Sequence, residues 1–168
     1  MLALALIVIG VISRIVMHSP NFTSVIAVAL FSGVYLNKKY AIAVPLTLMI
    51  LSDMIIGFHD TILFTWGSVA LISLIGLAVK KNKRAGTIAI AGTVSSVLFF
   101  IITNFGAWLT PLYPHTWQGL TECYIAAIPF FRNIFLSTML YSAILFGLYE
   151  LIATRVKNTR LARVLLTS

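Results

Sequence analysis

The chain has 168 residues, 60% of them hydrophobic and only 10% charged, a balance that excludes a soluble globular domain, which needs a far more polar surface. A mean hydropathy of +1.03, with long apolar stretches broken by short polar segments, fits a polytopic helical membrane protein embedded in a lipid bilayer. The net charge of +8 does not point to nucleic acid, because the basic residues form short clusters between apolar runs and no continuous basic face.

Six spans are predicted, at residues roughly 2–18, 22–37, 40–57, 61–79, 86–104 and 127–153. Together they make a single integral membrane domain over 1–168, an all-α six-helix bundle. The first, MLALALIVIGVIS, lacks a basic leader and a small-x-small cleavage pattern, so it reads as a retained span. The first two are short for a bilayer, and the last is long enough to tilt or project.

Connections alternate in character. Asn37-Lys38-Lys39, the run from Lys80 to Arg84, and a tail with Arg155, Lys157, Arg160 and Arg163 carry ten of the twelve Lys and Arg residues. All three fall on one side of a six-span topology. The positive-inside rule makes that side cytoplasmic, with both termini there, in the inner (cytoplasmic) membrane of the cell. Arg14 alone argues locally for the inverse, and ten against two overrides it.

The opposite side is mixed: Arg14, Arg132, Asp53, Asp60, Glu122 and the three histidines, His18, His59 and His115, all fall there. Its first loop, HSPNFTS, has a proline turn with Asn21 near a helix start. The second lies in LSDMIIGFHD, where Gly57 offers a bend and His59-Asp60 the tip. The third, residues 105–131, is the longest, with three prolines, Trp108, Trp117, Tyr113, Tyr124, His115, Glu122 and Cys123.

Depth selects the candidate site. Asp53 lies fourteen residues beyond Lys39, or roughly 21 Å of helix, within a hydrocarbon layer about 30 Å thick. A carboxylate there needs a partner or a wet cavity. Arg14, ~20 Å from the first residue, lies at similar depth and is its natural counter-ion; a buried Asp53–Arg14 or Asp53–Arg132 pair that merely fixes the bundle is the simpler alternative. Asn104, Arg132 and Asn133 belong at the outer rim. With Pro129 just ahead, Arg132-Asn133 reads as a helix start whose positive end suits a carboxylate or phosphate. Snorkelling of Arg132 explains the same pattern without a ligand.

The third loop, with Trp108, Trp117 and Tyr124, reads as an aromatic lid over a ring-containing solute, or else as an interfacial aromatic belt. Small residues on the fifth and sixth spans (Ala85, Ala89, Gly92, Ser96, Ala143, Gly147) predict close helix packing, or a docking face for a partner. One cysteine excludes an intrachain disulfide and any CxxC motif. No cofactor or metal is expected, although Cys123 or His115 could serve as axial ligand to a metal held in a cofactor ring. No catalytic constellation is present, so an enzyme is not expected.

The runs HSPNFTSVIAVALFSGVYL, VPLTLMILSDMIIGFHD, FFIITNFGAWLTPLYPHTWQGLTECYIAAIPFFRN and LYSAILFGLYEL resemble a family of small, functionally uncharacterised six-span prokaryotic membrane proteins. That family in turn resembles the substrate-capturing S components of energy-coupling-factor (ECF) vitamin transporters. The resemblance implies a bundle that binds a vitamin or cofactor precursor beneath its outer loops and docks on an ECF-type coupling protein driven by two ATPases. S components commonly carry Ala-x-x-x-Ala in the first helix; here Ala3 and Ala5 are followed four residues later by Ile7 and Ile9, so a coupled and a solitary carrier are both allowed.

The leading expectation is therefore uptake of a small solute. Asp53, Asn104, Arg132 and Asn133 would hold its polar groups, Trp108, Trp117 and Tyr124 would stack on it, and Asn21 and His59 would close the rim. Arg14 and Glu122 complete the candidate set. The alternatives are an accessory subunit of a larger membrane assembly, and a metal- or redox-handling protein using Cys123 and the histidines.

Overall fold

The computed structural model describes residues 1–16 and 19–156. Six helices follow in order: α1 Leu2–Val16, α2 Val25–Tyr35, α3 Lys38–Ile56, α4 Ile62–Val79, α5 Ala85–Trp108 and α6 Trp117–Val156. No strand occurs among the described residues. Helices α3 to α6 are long and apolar enough to cross a membrane, which points to a multi-pass membrane protein, whereas α1 and α2 are shorter. His18 and the tail residues Lys157, Arg160 and Arg163 lie outside the described residues.

The shortest helix is the centre of the bundle. In α2, all ten residues from Val25 to Val34 are buried, and the helix touches each of the other five. Its sequence explains the position: VIAVALFSGVY is apolar around its whole circumference, the pattern of a helix enclosed on every side. Eleven residues give roughly 16 Å of helix, too short to cross about 30 Å of hydrocarbon alone. Enclosure by protein removes the need, because every face of α2 meets other helices and not acyl chains.

Small residues set how closely the neighbours approach. A Cβ on Gly33 of α2 would lie 2.3 Å from the Ser73 carbonyl oxygen of α4, and one on Gly76 would lie 2.4 Å from that of Leu30. Backbone therefore packs on backbone at this crossing. On the other small-residue face the expectation holds in part: Gly92 and Ser96 are buried, and a Cβ on Gly92 would lie 2.8 Å from the Met139 side chain of α6. By contrast, Ala89, Ala143 and Gly147 are exposed, and a Cβ on Gly147 would meet nothing. With Ala85 they line an open groove of about 400 Å³ between α5 and α6 and do not form a tight seam.

Two basic segments, Asn37-Lys38-Lys39 and the run from Lys80 to Arg84, share one end of the bundle. Lys80 Nζ donates to the Leu36 carbonyl at 2.9 Å, Lys83 Nζ sits 4.2 Å above the Tyr35 ring, and the Tyr35 hydroxyl donates to the Glu150 carboxylate. Tyr35 also packs on Phe31, Phe146 and Tyr149. These contacts fasten the ends of α2, α4, α5 and α6 together.

The largest departure from the sequence reading concerns α6. A long loop over 105–131 was expected, with a helix starting after Pro129. Instead α5 runs to Trp108 and α6 begins at Trp117, leaving only residues 109–116 between them. Thr116 supplies the start: its hydroxyl accepts from the Gly119 N–H at 3.1 Å, an N-cap bond, while its carbonyl accepts from Leu120 N–H at 2.9 Å. Pro129 lies inside α6, as Pro45 lies inside α3. Each lacks one backbone N–H, which a helix supported by neighbours tolerates.

Replacing Gly33 or Gly76 by Val should lower stability by at least about 1–3 kcal/mol, the cost of overpacking a filled contact. Gly147→Ala, beside open space, should stay within about 0.5 kcal/mol of wild type. Unfolding followed by tryptophan fluorescence in mild detergent tests this; a wild-type midpoint for Gly33→Val would contradict the α2–α4 crossing.

Candidate functional site

At the end opposite the basic clusters, all six helices and two loops enclose a cavity of about 470 Å³. Its floor is organised by one buried ion pair. Asp53, near the end of α3, is fully buried, and its Oδ1 lies 2.6 Å from Arg14 Nη1 at the end of α1. Its second oxygen accepts from Trp66 Nε1 of α4 at 2.8 Å. The same guanidinium nitrogen donates to Ser52 Oγ at 2.5 Å and approaches Met49 sulfur at 3.5 Å. Ser52 can accept because its own hydrogen points along α3 toward the carbonyls of Leu48 and Met49.

The chain reaches this arrangement by local means. Ser13 Oγ donates to the Gly10 carbonyl and meets Ser24 Oγ at 2.8 Å, while Ser24 N–H donates back to Ser13, which ties the end of α1 to the start of α2 beside Arg14. Gly57 ends α3 at φ 113°, where a side chain would be strained, and its N–H donates to the Asp53 carbonyl. The short turn after Gly57 brings Trp66 back over Asp53.

Arg14, 15% exposed, is the member of the pair that reaches the cavity. Asn21, His59 and Asn104 line it too. Asn21 has φ 59°, a left-handed conformation that asparagine tolerates, and turns the first loop over the opening. His59 Nδ1 meets Thr61 Oγ1 at 2.9 Å, and Asn104 Nδ2 donates to the Phe100 carbonyl at 2.7 Å. Of the eleven predicted residues, these four line the cavity.

Asp53 takes a different part from the one expected. It touches Arg14 and Trp66 and does not line the cavity, so it positions the guanidinium where contact with a solute was foreseen. Arg132 and Asn133 lie mid-helix in α6, so no helix start stands beside them. Arg132 is exposed and off the cavity; Asn133 Nδ2 donates to the Pro20 carbonyl at 3.0 Å, fastening the first loop to α6.

The aromatic lid is likewise absent from the opening. Trp108 Nε1 donates to the Pro114 carbonyl at 3.0 Å, closing the α5–α6 connection on itself. Trp117 is 85% exposed, and the Tyr124 hydroxyl donates to the Ile101 carbonyl at 2.7 Å. Both border an outward-facing apolar groove. Glu122 accepts from Gln118 one turn earlier on the exposed side of α6. Cys123 is buried and its thiol donates to the Asn104 carbonyl; no group of three or more metal-ligating residues occurs among the described residues.

The sequence reading missed much of the lining: Thr65 of α4, Thr103 and Phe99 of α5, and Phe130, Ile134 and Ser137 of α6. Isolated hydroxyls in apolar spans cost little, so their depth carries no warning comparable to that of a carboxylate. Trp66 was detectable only by following the turn at Gly57.

Residues 1–161 match the model of a family described as a family of unknown function (DUF6580). No curated protein and no solved structure matches the chain.

Removing one partner of the buried pair, by Asp53→Leu or Arg14→Met, should cost about 3–5 kcal/mol, whereas the double variant should recover much of that loss. Trp66→Phe should cost about 1–3 kcal/mol by leaving a carboxylate oxygen without its donor. A double-mutant cycle on thermal unfolding measures all three; additive single losses would contradict direct pairing.

Proposed function

We propose that this chain, which belongs to the family of unknown function (DUF6580), is a membrane-embedded capture protein for a small polar solute. The observation that carries this reading is the polar cavity enclosed by all six helices at the end away from the basic clusters. Filling that space with apolar side chains would stabilise an ordinary bundle, whereas a buried ion pair holds a guanidinium at its wall. Such a cavity falls in the size range of small-molecule sites.

In this reading the basic end faces the cytoplasm of a cell's inner membrane, both termini lie there, and the cavity opens outward. The chain would present six membrane-embedded helices, with α2 enclosed by the others. Binding, and not catalysis, is its proposed role. If the chain is like an S component, as its sequence suggests, the binding site would open outward, and an ECF-type coupling protein is the proposed route to energised uptake. The open groove along Ala85, Ala89, Ala143 and Gly147 favours a second role beside it, docking to another membrane protein.

Protein purified in mild detergent should carry a small molecule near one per chain, recoverable by solvent extraction and mass spectrometry. Thr103→Trp, which projects bulk into the cavity, should lose it, and Arg132→Ala, off the cavity, should keep it. Loss in Arg132→Ala with retention in Thr103→Trp would refute this site.

A further inference from the structure

The donor and acceptor pattern of the cavity wall selects among solutes, a selection that rests on the capture role proposed for the chain. Three hydroxyls have their hydrogens engaged within their own helices: Thr65 donates to Ile62, Thr103 to Phe99 and Ser137 to Ile134, at 2.9, 2.8 and 3.0 Å. A hydroxyl whose hydrogen is so engaged offers only lone pairs. Asn104 differs: its amide nitrogen donates one hydrogen to the Phe100 carbonyl, which orients the amide and leaves its second N–H and its side-chain oxygen for a solute. Three acceptor-only hydroxyls and the Asn104 oxygen, from α4, α5 and α6, thus call for N–H or O–H donors on the solute.

The α1 side is opposite in kind. Arg14 carries five N–H donors and no acceptor, and it requires a carbonyl or similar oxygen. Its charge is already balanced by Asp53 at 2.6 Å, and among the described residues no other Lys, Arg, Asp or Glu lines the cavity. An anion entering there would lose its hydration without meeting an unbalanced cation, and a cation would meet no free carboxylate. Phe99 and Phe130 add aromatic surface suited to a planar ring.

We infer that the cavity recognises an uncharged planar ring bearing at least one carbonyl, directed to Arg14, and N–H or O–H donors directed to Thr65, Thr103, Ser137 and Asn104. This departs from the carboxylate- or phosphate-binding role that Arg132 and Asn133 suggest in the sequence. Discrimination should be sharp, because a buried acceptor left without a donor costs more than a lost apolar contact.

The test uses matched pairs differing by one carboxylate: uracil and orotate, nicotinamide and nicotinate, pterin and pterin-6-carboxylate. Binding at pH 7 is read by calorimetry on wild-type protein freed of any co-purified molecule. At least one neutral member should bind tenfold or more tightly than its carboxylate partner. Thr103→Val and Thr65→Val should each weaken that binding about tenfold, since each removes one acceptor while keeping side-chain volume. Equal or tighter binding of the carboxylate members overturns the inference, as does unchanged affinity in both valine variants. If no probe binds while a solvent-extracted molecule is still found at one per chain, the chemical class is wrong and capture stands. If neither is found, capture itself is wrong.

Discussion

The cost of dehydrating charge organises this molecule. Asp53 is shielded from water and lipid alike, and it is held by Arg14 and by the indole of Trp66. A lone carboxylate at that depth would be expensive, and so would a lone guanidinium. Paired, they fix α1, α3 and α4 relative to one another, and they leave the outer part of one cation at a cavity wall. Packing alone would not need this device, since apolar residues of similar volume are often as stabilising.

The other constraint is the burial of α2. Because its entire length is covered, the remaining helices must wrap around it, and the Gly33–Gly76 crossing brings α4 close enough to do so. Around the short α2, the longer helices extend past its first residue, and the space above it becomes the cavity bordered by Val25 and Ile26. The site is thus a consequence of length mismatch: one helix stops early, and its neighbours continue.

Much of the architecture could be read from the residues. Helix order, the polar short turns and the shared end of the basic clusters follow from periodicity and charge placement, and the equal depth of Arg14 and Asp53 marks them as partners. What eluded the sequence has a common physical origin. Pro129 and the aromatic run around it read as a loop because proline and tryptophan also belong to turns and interfaces, while the Thr116 cap that starts α6 is a single hydroxyl bond. Once α6 begins at Trp117, Trp117, Tyr124 and Glu122 face outward or bond within the α5–α6 hairpin, and Arg132 is left off the cavity. Conversely, Thr65, Thr103 and Ser137 enter the site silently, since such hydroxyls satisfy themselves on their own helices anywhere in a bilayer.

The resulting picture is a membrane bundle whose one end is a basic collar and whose other end is a hydrogen-bonding chamber with a tethered arginine. The most direct measurement is an experimental structure in lipid nanodiscs, determined on protein purified with no ligand added. Compact non-protein density is expected in the chamber against Arg14 and Thr103, with the Asp53–Arg14 pair intact. A chamber closed by the protein's own side chains, or Arg14 turned away from Asp53, would contradict it.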